Sequence, residues 1–317
     1  MNRYGLDSWR VYCYLSKVIG KREKINMKRP IILTLAILAV SIASCRKTAP
    51  DGGPAKDRIP IRIATSLTKV TDDAFETGDK VGIYIVNQPL QLKSKGNHID
   101  NARFTFSGSE WKSAQEIYWL DNETRADFYC YFPHREKTVN ALQPIQSNAL
   151  QDQSSEAGYK ASDYLWGKAE GISPTSNPVV LTLRHIMSCI QVSLKAGTGW
   201  SPEELKNAQV SLHGLMTSAS FSLKDGSISA NGGRNTVLPF KTSDGNFRVL
   251  IPPQKVEDSE LITIKLGHKE YKHKTSVSLE SGKIHRCSIV VNRIGEGIYI
   301  GVDPWEDAGE DFGGSVE

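Results

Sequence analysis

The side chains of this 317-residue chain with chemistry to offer are seven histidines, five cysteines and two clusters of carboxylates. The histidines are His98, His134, His185, His213, His268, His273 and His285. None lies in the HExxH spacing that puts two zinc ligands on one helical face. His268 and His273 are five apart, and on a strand an odd separation points them to opposite faces. The Lys-rich run from His268 to Lys274 reads as a solvated hairpin tip. There is no GxSxG, no Walker loop and no GxGxxG following a strand, so neither an acyl nucleophile nor a phosphate cradle is indicated. Asp303, Glu306, Asp307, Glu310 and Asp311 lack the alternating oxygen donors and sharp Gly turn of a calcium loop. They read as an acidic tail. The expectation is a chain with no catalytic residue, no metal and no cofactor.

Cys45 is different. Met27-Lys28-Arg29-Pro30 leads into an apolar run from Ile31 to Val40, then Ser41-Ile42-Ala43-Ser44-Cys45. This is a basic, then apolar, then small-residue signal, and its apolar run is shorter than the ~20 residues of a spanning helix. Ile42-Ala43-Ser44-Cys45 resembles a bacterial lipobox, which implies acylation of the Cys45 sulfur and cleavage before it. Two or more acyl chains anchor durably. Arg46 stands where an aspartate retains many lipoproteins at the inner membrane, so the outer membrane is the expected address. Residues 1–26 precede a complete signal, so translation starts at Met27 or the n-region is long. Pro50-Asp51-Gly52-Gly53-Pro54 reads as a tether. The remaining Cys130, Cys189 and Cys287 are odd in number and without CxxC spacing, so they read as buried hydrophobes.

Net charge follows the same division. Residues 1–44 hold eight basic and two acidic groups, so a chain of formal charge +4 leaves −2 on residues 45–317. A mildly acidic body does not displace counterions from a phosphate backbone, and no nucleic-acid partner is expected.

What must position any site is a set of strands. Ile59, Ile61 and Ile63 alternate with Pro60, Arg62 and Ala64; Val81, Ile83 and Ile85, Leu181 and Leu183, Ile190, Val192 and Leu194, and Ile262, Ile264 and Leu266 repeat the period of two. Asp225-Gly226 marks a hairpin. Ser201-Pro202-Glu203-Glu204 reads as a cap and first turn of a short helix. Residues 135–160 read as a long loop with one helical turn. Ala196-Gly197-Thr198-Gly199 is the best boundary. The resulting division is 1–26 (upstream extension), 27–44 (signal peptide), 45–57 (tether), 58–196 and 197–317 (two antiparallel β-sandwiches). Trp111, Tyr118, Trp119, Phe128, Tyr129, Tyr131, Phe132, Tyr164 and Trp166 cluster in the first half. Their alternation points to a core. Exposed, they would instead be a sugar platform, the mark of a surface glycan-binding lipoprotein of a nutrient-uptake system.

Seven motifs follow one another along the chain: Phe75-Glu76-Thr77-Gly78-Asp79-Lys80-Val81-Gly82-Ile83-Tyr84, Ile117-Tyr118-Trp119, Phe128-Tyr129-Cys130-Tyr131-Phe132-Pro133, Ser162-Asp163-Tyr164-Leu165-Trp166-Gly167, Leu181-Thr182-Leu183-Arg184-His185-Ile186-Met187-Ser188, Ile251-Pro252-Pro253-Gln254 and Leu279-Glu280-Ser281-Gly282-Lys283. In this order they resemble the fimbrillin-like family of Bacteroidales surface lipoproteins. Locally, Gly82 would let another backbone approach closely, and His185 reads as a core histidine tipped against Asp163 or a carbonyl.

The resemblance implies two transthyretin-like β-sandwich domains and a fimbrial role as shaft, tip or anchor. The partners would be other fimbrial subunits, the outer membrane through the lipid, and a host or bacterial surface receptor. In the family an Arg-specific protease removes the first strand, and a neighbour's C-terminal segment fills the groove by β-augmentation. Here residues 59–66 match the removable strand, with Ile59, Ile61 and Ile63 filling the groove. Ile298, Ile300 and Val302 form an apolar ladder in a candidate donor segment. The loop of residues 67–74 carries only Lys69 as a basic residue, so processing there would need a lysine-directed protease.

Overall fold

The computed structural model describes residues 58–67, 74–137 and 140–293, and the backbone of 315–316. Alternation becomes strands directly. In Val179–His185 the odd-numbered side chains are buried and Val180 and Thr182 are exposed. In order, the elements are β1 (Ile63–Leu67), β2 (Lys80–Asn87), β3 (Ile99–Phe106), β4 (Trp111–Ser113), β5 (Ala126–Phe132), β6 (Ile145–Gln146), α1 (Glu156–Lys160), β7 (Leu165–Ile172), β8 (Val179–His185), β9 (Ser188–Ala196), α2 (Pro202–Leu205), β10 (Gln209–Phe221), β11 (Ile228–Val237), β12 (Phe240–Lys241), β13 (Phe247–Ile251), β14 (Gln254–Leu266), β15 (Lys269–Leu279), β16 (Ile284–Val291) and β17 (Ser315–Val316). The expected all-β class holds. Both helices are short, and α2 carries a full capping box in which Ser201 and Glu204 each bond the other's backbone N–H.

One seven-stranded sheet runs β1-β8-β7-β5-β2-β3-β4. It curls until its ends meet, since Trp111 in β4 donates its Nε1–H to Thr65 Oγ1 in β1 at 3.0 Å. Ile61, Ile63, Ile83, Phe128, Leu181 and Leu183 fill the space inside. Two further sheets, β11-β10-β14-β15 and β12-β13-β9-β16-β17, enclose a core that includes Ile190, Leu212, Val249, Ile262 and Ile289. Most pairings are antiparallel, but β1 with β8, β9 with β16, and β16 with β17 are parallel.

A third cluster joins the sheets. Tyr84, Tyr129 and Tyr131 of the first sheet pack with Cys189, Phe221 and Leu250 of the others and with Leu223 in the turn after β10. The Tyr131 and Phe221 rings lie 6.1 Å apart. The turn after β10 docks beside it. Trp166 donates its indole N–H to the Leu223 carbonyl at 2.8 Å, Gly226 leaves room for the Trp166 ring, and Arg184 stacks on that ring at 5.1 Å. The described residues all fall within one compact unit, Gly52–Glu317.

Three details depart from the sequence reading. The chain changes sheets at Ile186-Met187, ten residues before the Gly-rich stretch, so β9 pairs with β13 and β16. Both residues are buried, and no turn residue marks the crossing. His273 is 9% exposed within β15 and is not part of a solvated tip. Gly82 makes room for the Tyr131 ring and not for a backbone; it is Gly167 that lies against the Thr182 carbonyl.

Candidate functional site

Residues 59–67 read Ile-Pro-Ile-Arg-Ile-Ala-Thr-Ser-Leu, with every second side chain aimed one way. Ile61 and Ile63 are 6% and 5% exposed, and Ile59 and Leu67 pack partly buried against the same core. Arg58 and Arg62 are exposed. The segment is held on two sides. Its front half pairs with the stretch after β4: Ile61 N–H donates to the Ile117 carbonyl at 2.7 Å, and Trp119 N–H to the Ile59 carbonyl at 3.0 Å. Pro60, with no N–H to give, sits at an isolated bridge opposite Tyr118. The rear half runs parallel to β8, with Ile63 beside Val179 and Leu67 beside Leu183. Val179 N–H donates to the Arg62 carbonyl at 2.8 Å, and the hydroxyls of Ser66 and Thr182 meet at 3.0 Å. A parallel strand needs a long crossover; here the rest of the sheet supplies it, so among the described residues β1 pairs with chain far from it in sequence.

Beyond Leu67 lies a small cavity of about 80 Å³ lined by Phe75, Phe132, Tyr159, Leu165 and His185 among others. At its wall Asp163 Oδ1 and His185 Nδ1 are 2.9 Å apart, one of the two partners that the sequence reading left open for this histidine. Lys160 bridges Glu76 and Glu156. Nearby, Tyr159 Oη lies 3.8 Å from Cys189 Sγ. Burial pushes the Cys189 thiol up to about 11, and raises Cys130 further, so neither is a thiolate at neutral pH. Cys287 is buried as well.

The sequence placed Ile59, Ile61 and Ile63 on one strand face, and the structure brings them together in one seat. Cys45, Lys69, Ile298, Ile300 and Val302 lie outside the described residues, as do residues 1–26, 27–44 and 45–57. The partners of the seat, residues 117–119 and the Thr65–Trp111 bond, were not assigned from sequence; the alternation of Ile117 and Trp119 around Tyr118 was their only signal. Trp111 and Trp119 are buried, at 7% and 2% exposure, and Trp166 is partly covered.

Comparison with known proteins gives this seat a setting. The family model for fimbrillin-like proteins matches residues 68–305. A Bacteroides uniformis protein named "Putative fimbrium subunit Fim1C" is 23% identical over 208 residues, covering 63% of this chain and 67% of that one. Two crystal structures described as "putative cell adhesion protein" share the fold. One, from Bacteroides uniformis, has a TM-score of 0.59 and 20% identity over 74% of this chain and 94% of its own. The other, from Bacteroides ovatus, has a TM-score of 0.60 and 18% identity over 72% and 91%. With the family model covering residues 68–305, which include β2 to β16 and the segments that pair with the first strand, the chain belongs to the fimbrillin-like family.

Proposed function

We propose that this protein is a subunit or accessory protein of a cell-surface fimbria, lipid-anchored at Cys45 in the outer membrane and joined to its neighbours by strand exchange at the seat of residues 59–67. The observation that carries the reading is the construction of that seat. Among the described residues its strand comes first, pairs with distant segments, and supplies Ile61 and Ile63 to a closed core. Withdrawing Ile59, Ile61 and Ile63 would cost roughly 5–9 kcal/mol in lost burial, comparable to a domain's whole stability. An emptied seat therefore needs a new strand, and Ile298, Ile300 and Val302 of another subunit offer the matching apolar period. The two sets of sheets, between which the chain crosses at Ile186-Met187, act as one subunit. Burial of Trp111 and Trp119 supports this reading over a nutrient-uptake module built on exposed tryptophans.

The test is proteolysis with an assembly readout. Arg-specific digestion should leave residues 59–66 in place and the protein monomeric. Lys-specific cleavage after Lys69 should free the seat, and ladders should then appear on a gel run without boiling. Ladders without any cleavage, or none after cleavage with a donor subunit present, would overturn the mechanism.

A further inference from the structure

The pairing of β2 with β3 slips by one residue. Ile83 lies opposite Ala102, but Ile85 lies opposite Ile99, so β3 carries one residue more than its partner. Within that bulge Asn101 has φ 50°, the left-handed region that a non-Gly residue enters at a cost. Bulges turn side chains to a new direction and recur beside functional sites. This one is locked in place. Asn101 Oδ1 accepts from the Tyr131 hydroxyl at 2.8 Å, and its Nδ2 donates to the Arg135 carbonyl at 2.8 Å.

The bulge forms one wall of an open cleft of about 610 Å³, closed on its other sides by the stretch after β4 and the stretch after β5. His98, Asp100, Asn101, Arg103, Glu116 and Glu136 give it its character. The polar heads are held rather than loose. Arg103 pairs with Glu136 at 3.2 Å, and Asp100 accepts from the Gly96 N–H at 2.7 Å. Tyr118 is bonded to the cleft at both ends, its carbonyl receiving His98 Nε2 at 2.8 Å and its hydroxyl donating to the Glu116 carboxylate. Burial holds His134, also in the lining, below the ordinary imidazole range.

The lining selects by chemistry. Three carboxylates face a single guanidinium, which disfavours sulfated, phosphorylated or sialylated ligands. Apolar lining is confined to Ile99, Ala102, Ala114 and Ile117, too little for a hydrophobic peptide anchor. Among the described residues no three His, Cys, Asp or Glu side chains converge as a metal site would need. Carboxylate, amide and guanidinium planes with a half-buried tyrosine beside them suit neighbouring hydroxyl groups, each a donor and an acceptor. We propose that this cleft is a receptor site for an uncharged oligosaccharide. The inference rests on the fimbrial reading above and gives such a surface protein a receptor class; it places the sugar in a polar cleft and not on the tryptophans.

The experiment applies the full-length protein to an array of neutral hexose and N-acetylhexosamine oligosaccharides printed beside sialylated and sulfated ones. Retention on neutral glycans is expected. The double variant Gln115→Ala/Glu116→Ala, at exposed positions, should lose at least tenfold in affinity with an unchanged melting temperature, and Arg103→Ala serves as a second variant. No retention on neutral glycans, equal retention by both variants, or preference for the charged glycans would overturn the proposal. Ladder formation is measured on the same preparations. Normal ladders without glycan retention sink the cleft alone, whereas glycan retention without ladders after Lys69 cleavage sinks strand exchange alone.

Discussion

Gln153 stands beside Leu250 as a strand would. Its Oε1 accepts the Leu250 N–H at 2.9 Å and its Nε2 donates to the Leu250 carbonyl at 2.8 Å. The side chain is fully buried, in the polar stretch between β6 and α1, and it closes the edge of β13 where the short β12 no longer reaches. Gln254 does the same for Met216, accepting its N–H and donating to its carbonyl, both at 2.8 Å.

Replacing Gln153 by Leu keeps the bulk but orphans a buried N–H and a buried carbonyl. Each costs roughly 1–3 kcal/mol, so a loss of about 2–6 kcal/mol is expected in urea unfolding. A loss below about 0.5 kcal/mol would show that water replaces the amide without penalty.

Ile63→Ala should destabilise by about 2–4 kcal/mol, because the side chain is almost wholly buried and its seat is walled by β-branched and aromatic neighbours that close poorly over a void. Arg62→Ala, one residue away on the solvent side, should be nearly silent. Equal effects from the two would mean that the strand is not seated as described.

His285 sets a pH dependence. The Glu280 N–H donates to its Nε2 at 2.9 Å, which requires an unprotonated nitrogen, and burial lowers its pKa. In the unfolded chain the imidazole gains its proton near the ordinary value of about 6.5. The unfolded state then binds more protons than the folded one, so stability is complete above about pH 6.5 and declines as pH falls toward the depressed folded value. His285→Gln retains an acceptor without titrating. Melting temperature measured from pH 8 to 5 should fall less in that variant than in the parent; parallel curves would remove His285 from the account.

Cys45→Ala should move the protein from the membrane fraction to the soluble one. Unchanged fractionation would refute the lipid anchor.

Legibility in the sequence followed the physics of each element. Strand faces were readable because burial on one side of a strand imposes a period of two, and the short α2 because a capping box has its own spelling. Pairing partners were not. The parallel seat of β1 on β8 joins segments more than a hundred residues apart, and nothing in either spells the other. His273 read as solvated because Lys272 and Lys274 flank it, yet those neighbours point outward just because His273 points in. Gln153 read as loop surface because a glutamine in a polar stretch gives no hint of a buried amide. The cleft was invisible for a similar reason: its polar residues are scattered from His98 to Glu136, and only the bulge at Asn101 gathers them.

The cluster in which Tyr131 meets Phe221 belongs to no single set of sheets. A molecule built that way has no hinge at its waist, since bending there would pull aromatic rings out of contact and break the Trp166 bond to Leu223. Under tension such a unit behaves as a rigid link. In a filament made of these links, flexibility would reside in the joints between subunits, and a pull on the tip would reach the base with little of it absorbed along the way.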